Sequence, residues 1–318
     1  MNAPHRIDVH HHIVPPEYVR ALEGKGVTNA IGAPFPAWDP ETTLAVMDRN
    51  GIQTAVTSIS APGVFFGDVG FARTLARRCN EISARLVTDY PGRFGVFATL
   101  PLPDAEASLT ELAYTADTLK LDGVVLLTNY AGRYLGDPAF EPVLAELNRR
   151  RTPVFVHPAD PPGGSVLGPH VPNFLFEVTF DTTRAIANLI FTGTLERYPD
   201  IPLIFAHAGG AAPYLALRIA GGTFFIPGAA EKAPQGAIAY LKRLHYDTAL
   251  SASPYALSSL RELVDPSQIL FGSDYPFASE FIVEIMVKGL QSFDGFGAEE
   301  LAAIERGNAA RIFPKCSR

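Results

Sequence analysis

The sequence predicts a single (β/α)8 barrel spanning residues 1–318, with inserted loops and extra C-terminal helices. Three observations carry that expectation. Short, nearly continuous apolar runs rich in β-branched residues alternate with longer amphipathic runs from one end of the chain to the other. The alternation has eight beats, the number that closes a parallel sheet on itself. The composition does not shift along the chain, as it would at a boundary between unlike domains. A doubly wound open sheet is the alternative.

The strand-like runs are Arg6 to Val14, Thr54 to Ser60, Phe94 to Leu102, Gly123 to Thr128, Pro153 to His157, Pro202 to His207, Leu244 to Leu250 and Ile269 to Asp274. Each is apolar on both faces, as a strand covered by helices outside and side chains inside must be. Helical patterns lie between them. Glu41 to Asn50 ends at Gly51, Asp68 to Tyr90 ends before Pro91, and Asp104 to Leu119 opens on an acidic N-cap after Pro103. Pro138 to Arg151, Asp181 to Arg197, Pro254 to Val264 and a pair within Glu280 to Ile312 complete the series. Pro15 to Trp38, Ala159 to Asn173 and Gly221 to Lys242 are too long for simple connections. The first two follow strands directly, where a barrel places the loops that wall its mouth.

Composition narrows the class of function. A net charge of −7 with no Lys/Arg-rich run argues against nucleic acid or an anionic membrane as partner. No apolar run reaches the length of a membrane span, and no basic segment followed by an apolar stretch opens the chain. The only cysteines, Cys79 and Cys316, are far apart in sequence, so neither a disulfide framework nor a thiolate metal site is indicated. A cytoplasmic protein acting on a small molecule is the expectation.

The chemistry is concentrated at strand ends. His10 and His12 close the first run in Asp8-Val9-His10-His11-His12, and residues two apart on a strand project to one side, so the pair can share an ion while His11 points away. His157 closes the fifth run, His207 the sixth and Asp274 the eighth. A barrel brings all these ends to one face. So many polar groups in a dry core are costly unless an ion compensates them. Without thiolates, a mixed nitrogen and oxygen ligand set suits Zn²⁺, with Mn²⁺ as the alternative.

At this point the sequence resembles the amidohydrolase superfamily, within it the decarboxylase group typified by aminocarboxymuconate semialdehyde decarboxylase. The resemblance rests on Asp8-Val9-His10-His11-His12, Trp38-Asp39-Pro40-Glu41, Pro91-Gly92-Arg93-Phe94 leading to Thr99-Leu100-Pro101, Phe155-Val156-His157-Pro158, His207-Ala208-Gly209-Gly210 and Gly272-Ser273-Asp274-Tyr275-Pro276-Phe277. It implies a barrel of the metal-dependent hydrolase type with one divalent ion per chain. His10, His12, His157 and Asp274 would be its ligands and His207 the acid/base residue; the proton carrier of the reaction is His207 or Asp274. Thr128-Asn129-Tyr130 stands where binuclear members carry a bridging lysine.

The implied reaction is non-oxidative decarboxylation of a small aromatic or muconate-like acid. Hydrolysis of an ester, lactone or amide on the same ligands is the alternative. The first helix has Thr42-Thr43-Leu44-Ala45 where the semialdehyde decarboxylase carries arginines, while Arg218 matches a family arginine contributed across a dimer interface, so a homodimer is implied. The same group includes decarboxylases of hydroxybenzoates, notably 6-methylsalicylate. Phe65, Phe66, Phe174 and Phe176 suit a methylated ring, Phe174 and Phe176 being the substrate-binding candidates beside Arg218.

Overall fold

The computed structural model describes residues 5–164 and 170–317. Eight parallel strands follow one another around a barrel in chain order. They are β1 (Arg6–His12), β2 (Ile52–Ser58), β3 (Phe94–Thr99), β4 (Gly123–Leu127), β5 (Val154–His157), β6 (Leu203–Phe205), β7 (His245–Asp247) and β8 (Ile269–Leu270). The barrel is completed beyond the last regular strand. Val9 N donates to Phe271 O (3.0 Å), Asp274 N to His10 O (2.7 Å) and His12 N to Tyr275 O (2.7 Å), with a parallel bridge between His11 and Tyr275. The segment that closes the barrel is thus the one that carries Asp274.

All eight expected strands are present, but β6, β7 and β8 are shorter than their apolar runs. Their C-terminal residues leave the ladder to shape the mouth: His207 and Ala208 both take φ of 55° and Asp274 takes 61°. Left-handed backbone at non-glycine residues cannot continue a strand. On β1 the pairing register slips between Asp8 and His11, a bulge that re-aims the histidines.

Three helices open on aspartate caps, Asp104 as the sequence predicts and Asp39 and Asp68 besides. Asp39, Asp68 and Asp104 each accept a backbone N–H three residues on, from Thr42 (2.7 Å), Phe71 (3.0 Å) and Ala107 (3.1 Å). The long segment after β1 holds a helix, Pro16–Glu23, and a small hairpin of Asn29–Ala30 with Ala33–Pro34. The helix Ala212–Phe225 has no counterpart in the expected series. Its sequence is apolar around the whole circumference, with Tyr214, Leu217, Phe224 and Phe225 facing outward, so no amphipathic stripe marks it. Within Gly221 to Lys242 lie the end of that helix and two short ones, Ala229–Lys232 and Ala237–Arg243. No helix among the described residues is long and apolar enough to cross a membrane.

The barrel interior is layered. Ile7, Val9, Val56, Phe97, Val125 and Phe155 fill it below the polar mouth, and Ala309, Phe313 and Cys316 of the C-terminal segment plug its lower end. A larger apolar layer joins the strands to the surrounding helices. Beside the plug, Arg6 donates to Glu305 through Nε (2.9 Å) and Nη2 (2.5 Å) and through Nη1 to Asn50 O (2.8 Å). Both side chains are nearly inaccessible.

Removing one partner of such a pair leaves a buried uncompensated charge. Glu305→Ala should therefore lower stability by about 3–5 kcal/mol, read as a fall in the urea midpoint at unchanged slope.

Candidate metal centre and active site

Side chains from β1, β5 and the loop after β8 meet at the mouth. One ligand atom from each of His10, His12, His157 and Asp274 lies within 4.8 Å of the others, and all four residues are buried. Asp274 Oδ1 is 3.2 Å from His10 Nε2 and 3.1 Å from His12 Nε2. Its other oxygen is 3.4 Å from His207 Nε2.

The partners of the outward ring nitrogens decide what the inward ones can do. His10 Nδ1 donates to Asp247 Oδ2 (2.7 Å) and His157 Nδ1 donates to Pro158 O (2.8 Å), while His12 Nδ1 pairs with Ser58 Oγ (3.0 Å). Each Nε2 is then left with its lone pair aimed at the common centre, and those of His10 and His12 are only 3.1 Å apart. Such an arrangement calls for a cation between them, and neutral imidazoles with their far nitrogens held in this way are well suited to a divalent ion. The residues therefore fit a single metal ion.

The electrostatics agree. Burial works against a charged His10, but the Asp247 and Asp274 charges and their hydrogen bonds override it and push its pKa up to about 10. Burial, together with the neighbouring imidazole charges, holds His157 well below its ordinary value, and burial likewise lowers His12. Asp274 lies well below the usual carboxylate range: burial opposes ionisation, and the His10 charge and the hydrogen bonds from His10, His12 and His207 outweigh it. A proton on His10 thus occupies the position of positive charge that an ion would take.

Two carboxylates brace this centre, and neither stood out in the sequence. Asp247, at the end of β7, also accepts from His207 N (3.0 Å) and Ala249 N (2.9 Å) through Oδ1. The apolar run Leu244 to Leu250 extends past it, which hides it from the strand-end rule. Asp8 accepts from His10 N and Ser273 N (3.0 Å each), Ser273 Oγ (2.5 Å) and His11 Nδ1 (2.9 Å), stapling β1 to the loop that carries Asp274. Gly272 makes this approach possible, since a Cβ there would lie 2.8 Å from that of His10. At the end of β4, Thr128 Oγ1 donates to Asp181 and accepts from Ala159 N (3.0 Å), which fixes the peptide next to Pro158 O and so the ring of His157.

Above the centre lies a cavity of about 710 Å³. Ser60, His157, His207 and Asp274 form its polar end, and the other walls are almost wholly apolar. Phe174 and Leu175 line it. Phe176 is instead set edge-on against Phe180 at 6.2 Å, and Phe65 and Phe66 pack on the core. Arg218 is exposed on the helix Ala212–Phe225 and does not reach the cavity of its own chain.

Residues 7–315 match the family model described as Amidohydrolase. The chain belongs to the amidohydrolase family. It is 36% identical to decarboxylase yanB of Aspergillus niger over 98% of this chain and 88% of that one. To the 6-methylsalicylic acid decarboxylase of Penicillium expansum it is 34% identical over 98% and 96%. Among solved structures, an amidohydrolase II superposes with a TM-score of 0.90 at 30% identity, covering 96% of this chain and 99% of that one. The 5-carboxyvanillate decarboxylase of Novosphingobium aromaticivorans, crystallised with manganese and 4-hydroxy-3-methoxy-5-nitrobenzoic acid, shares the fold with a TM-score of 0.86 at 24% identity, covering 97% and 96%. This amidohydrolase is a carboxy-lyase, as its named sequence relatives are.

Because an ion must displace the His10 proton, metal affinity should rise about tenfold per pH unit between pH 6 and 8, with about one proton released per ion. Calorimetry in buffers of different ionisation enthalpy measures that release. Asp247→Asn should weaken the metal about 10- to 100-fold, read by competition with a chromogenic chelator.

Proposed function

We propose that this enzyme removes CO₂ from a small aromatic acid carrying a hydroxyl next to its carboxylate, with 6-methylsalicylate as the leading substrate. The observation that carries the reading is an apolar cavity whose one polar end is the His157, His207 and Asp274 cluster. The named activity of the Penicillium expansum relative supports it. The proposed cofactor is one divalent ion per chain on His10, His12, His157 and Asp274. Zn²⁺ suits the three-nitrogen, one-oxygen set, and Mn²⁺ is the alternative, favoured by the manganese of the 5-carboxyvanillate enzyme.

A bound ion supplies the charge and Lewis acidity that hold the carboxylate and its neighbouring hydroxyl. The chain's own residues do the rest. The cavity wall holds the ring, and the Asp274 and His207 pair holds a proton between Oδ2 and Nε2. That proton passes to the ring carbon bearing the carboxylate. The bond to the carboxylate carbon then breaks, its electron pair returns to the ring, and CO₂ leaves without any change in oxidation state of a cofactor.

Assembly is part of the proposal. Tyr214 and Leu217 are each 84% exposed and Phe224 and Phe225 are 86% and 85% exposed, on one helix with Arg218. Residues at this spacing share a face, and an apolar patch of that size marks a contact surface. We assign it to a homodimer in which Arg218 of one chain serves the substrate carboxylate of the other, Arg offering the bidentate geometry a carboxylate fits. A cytoplasmic location is proposed on the free, buried thiols of Cys79 and Cys316.

The decisive assay is CO₂ release from 6-methylsalicylate by the metal-loaded protein, with acid release from generic esters as the hydrolase control. His207→Ala should keep its ion and lose turnover by about 10²- to 10⁴-fold, whereas His12→Ala and His157→Ala should lose the ion; near-normal turnover by His207→Ala overturns its role. Mixing inactive Arg218→Ala and His12→Ala chains should restore activity, because one site of the mixed dimer has every group intact. Proven subunit exchange without recovery would count against a shared site.

A further inference from the structure

The cavity is larger and more apolar than one methylated ring requires. Its volume of about 710 Å³ lies well inside the range of about 300–1,000 Å³ that holds drug-sized ligands. It has room for roughly twenty water-sized groups, about twice the non-hydrogen atoms of a methylated hydroxybenzoate. Apart from its few polar groups the lining is apolar and includes Ile31, Phe35, Pro36, Val178 and Ile282. Nearer the opening, Phe174, Leu175 and Leu250 line the cavity yet stay 46%, 64% and 46% exposed, apolar surface that a ligand could cover.

No Lys or Arg among the described residues lines any part of this space. A second carboxylate on the ring would enter a low-dielectric wall with no counter-charge, at a heavy desolvation penalty. Even a dimer that lends one Arg218 to each site brings one cation, matched to the one carboxylate that reacts.

Resting on the decarboxylase reading, we propose that the preferred substrates are hydroxybenzoates with a single carboxylate and an apolar side chain longer than methyl, about three to five carbons, lying along the wall formed by Ile31, Phe35, Val178 and Ile282, and that ring dicarboxylates are rejected.

The test compares 6-methyl-, 6-propyl- and 6-pentylsalicylate with 3-hydroxyphthalate, which keeps the hydroxyl beside one carboxylate and carries the second in place of the methyl group. CO₂ release is followed with the metal-loaded wild type, and binding by calorimetry with metal-loaded His207→Asn protein. Each added methylene should tighten binding about fourfold, the transfer free energy of one buried CH₂, so the propyl acid should bind at least about tenfold more tightly than the methyl acid. The phthalate should bind at least about tenfold more weakly than 6-methylsalicylate, as expected for an unpaired charge in an apolar wall. Ile282→Trp should bring the pentyl-to-methyl binding ratio close to one. Weaker binding of the propyl than of the methyl acid, or phthalate binding equal to 6-methylsalicylate, overturns the proposal. A binding gradient as expected without CO₂ release from any acid leaves this inference standing and overturns the decarboxylase reading instead.

Discussion

Three imidazole lone pairs and a carboxylate, gathered within 4.8 Å in a buried barrel mouth, form an arrangement that repels itself unless positive charge sits at its centre. The surrounding structure is organised around holding it. Each histidine has its far nitrogen fixed by an atom of a different element: Asp247 at the end of β7, Ser58 at the end of β2 and the carbonyl of Pro158 after β5. The ring orientations are therefore set before any ion arrives, which is what lets a site bind with little ordering cost. The left-handed backbone at His207, Ala208 and Asp274 belongs to the same requirement. Such residues cost on the order of 1–3 kcal/mol each and persist only where neighbours over-determine them. Here the neighbours are Asp247, which accepts the His207 amide, and His10 O, which accepts that of Asp274.

A barrel meets this demand because its two ends can differ. The lower end is sealed by Phe313 and Cys316 against Phe97, Phe155 and Val125, an apolar plug with no polar group to satisfy. That dry packing fixes the strands, and the fixed strands carry the side chains of the metal centre at their C-terminal ends. The two cysteines fit this picture as packing residues. Burial pushes both thiols up to about 12, so neither offers a reactive thiolate near neutral pH.

Much of this was legible in the sequence, for identifiable reasons. Apolar runs of period two or none, broken by Gly and Pro, marked all eight strands, and the strand-end rule marked His10, His12, His157, His207 and Asp274 together. What was not legible follows two patterns. The helix Ala212–Phe225 gave no periodic signal because its outward face is as apolar as its inward one. Asp8 and Asp247 were hidden because a lone acid in a strand reads as an ordinary polar residue. Their importance depends on how four backbone or side-chain donors converge on Asp8, two of them from Ser273 far along the chain, and three on Asp247, two of them from His10 and His207. The bulge in β1 is likewise invisible to a period-two reading, although it sets where His10 and His11 point.

The cavity explains why carbon–carbon cleavage suits this mouth better than hydrolysis. Hydrolysis consumes water at every turnover and needs it beside the ion. Decarboxylation of an aromatic acid, as proposed, needs one proton delivered to one ring carbon and benefits from a water-poor wall, where the carboxylate loses solvation that the neutral CO₂ formed from it does not need. In the proposed reaction the proton comes from within. His207 is buried, its Nδ1 has no partner among the described residues, and its Nε2 faces the Asp274 oxygen turned away from the other histidines. A proton held there has an acceptor on one side and the cavity on the other. In the proposed reaction the product has lost the carboxylate that would hold it at the charged end and keeps only its contacts with the apolar wall. Release is thus built into the same separation of polar floor and apolar wall that positions the acid for reaction.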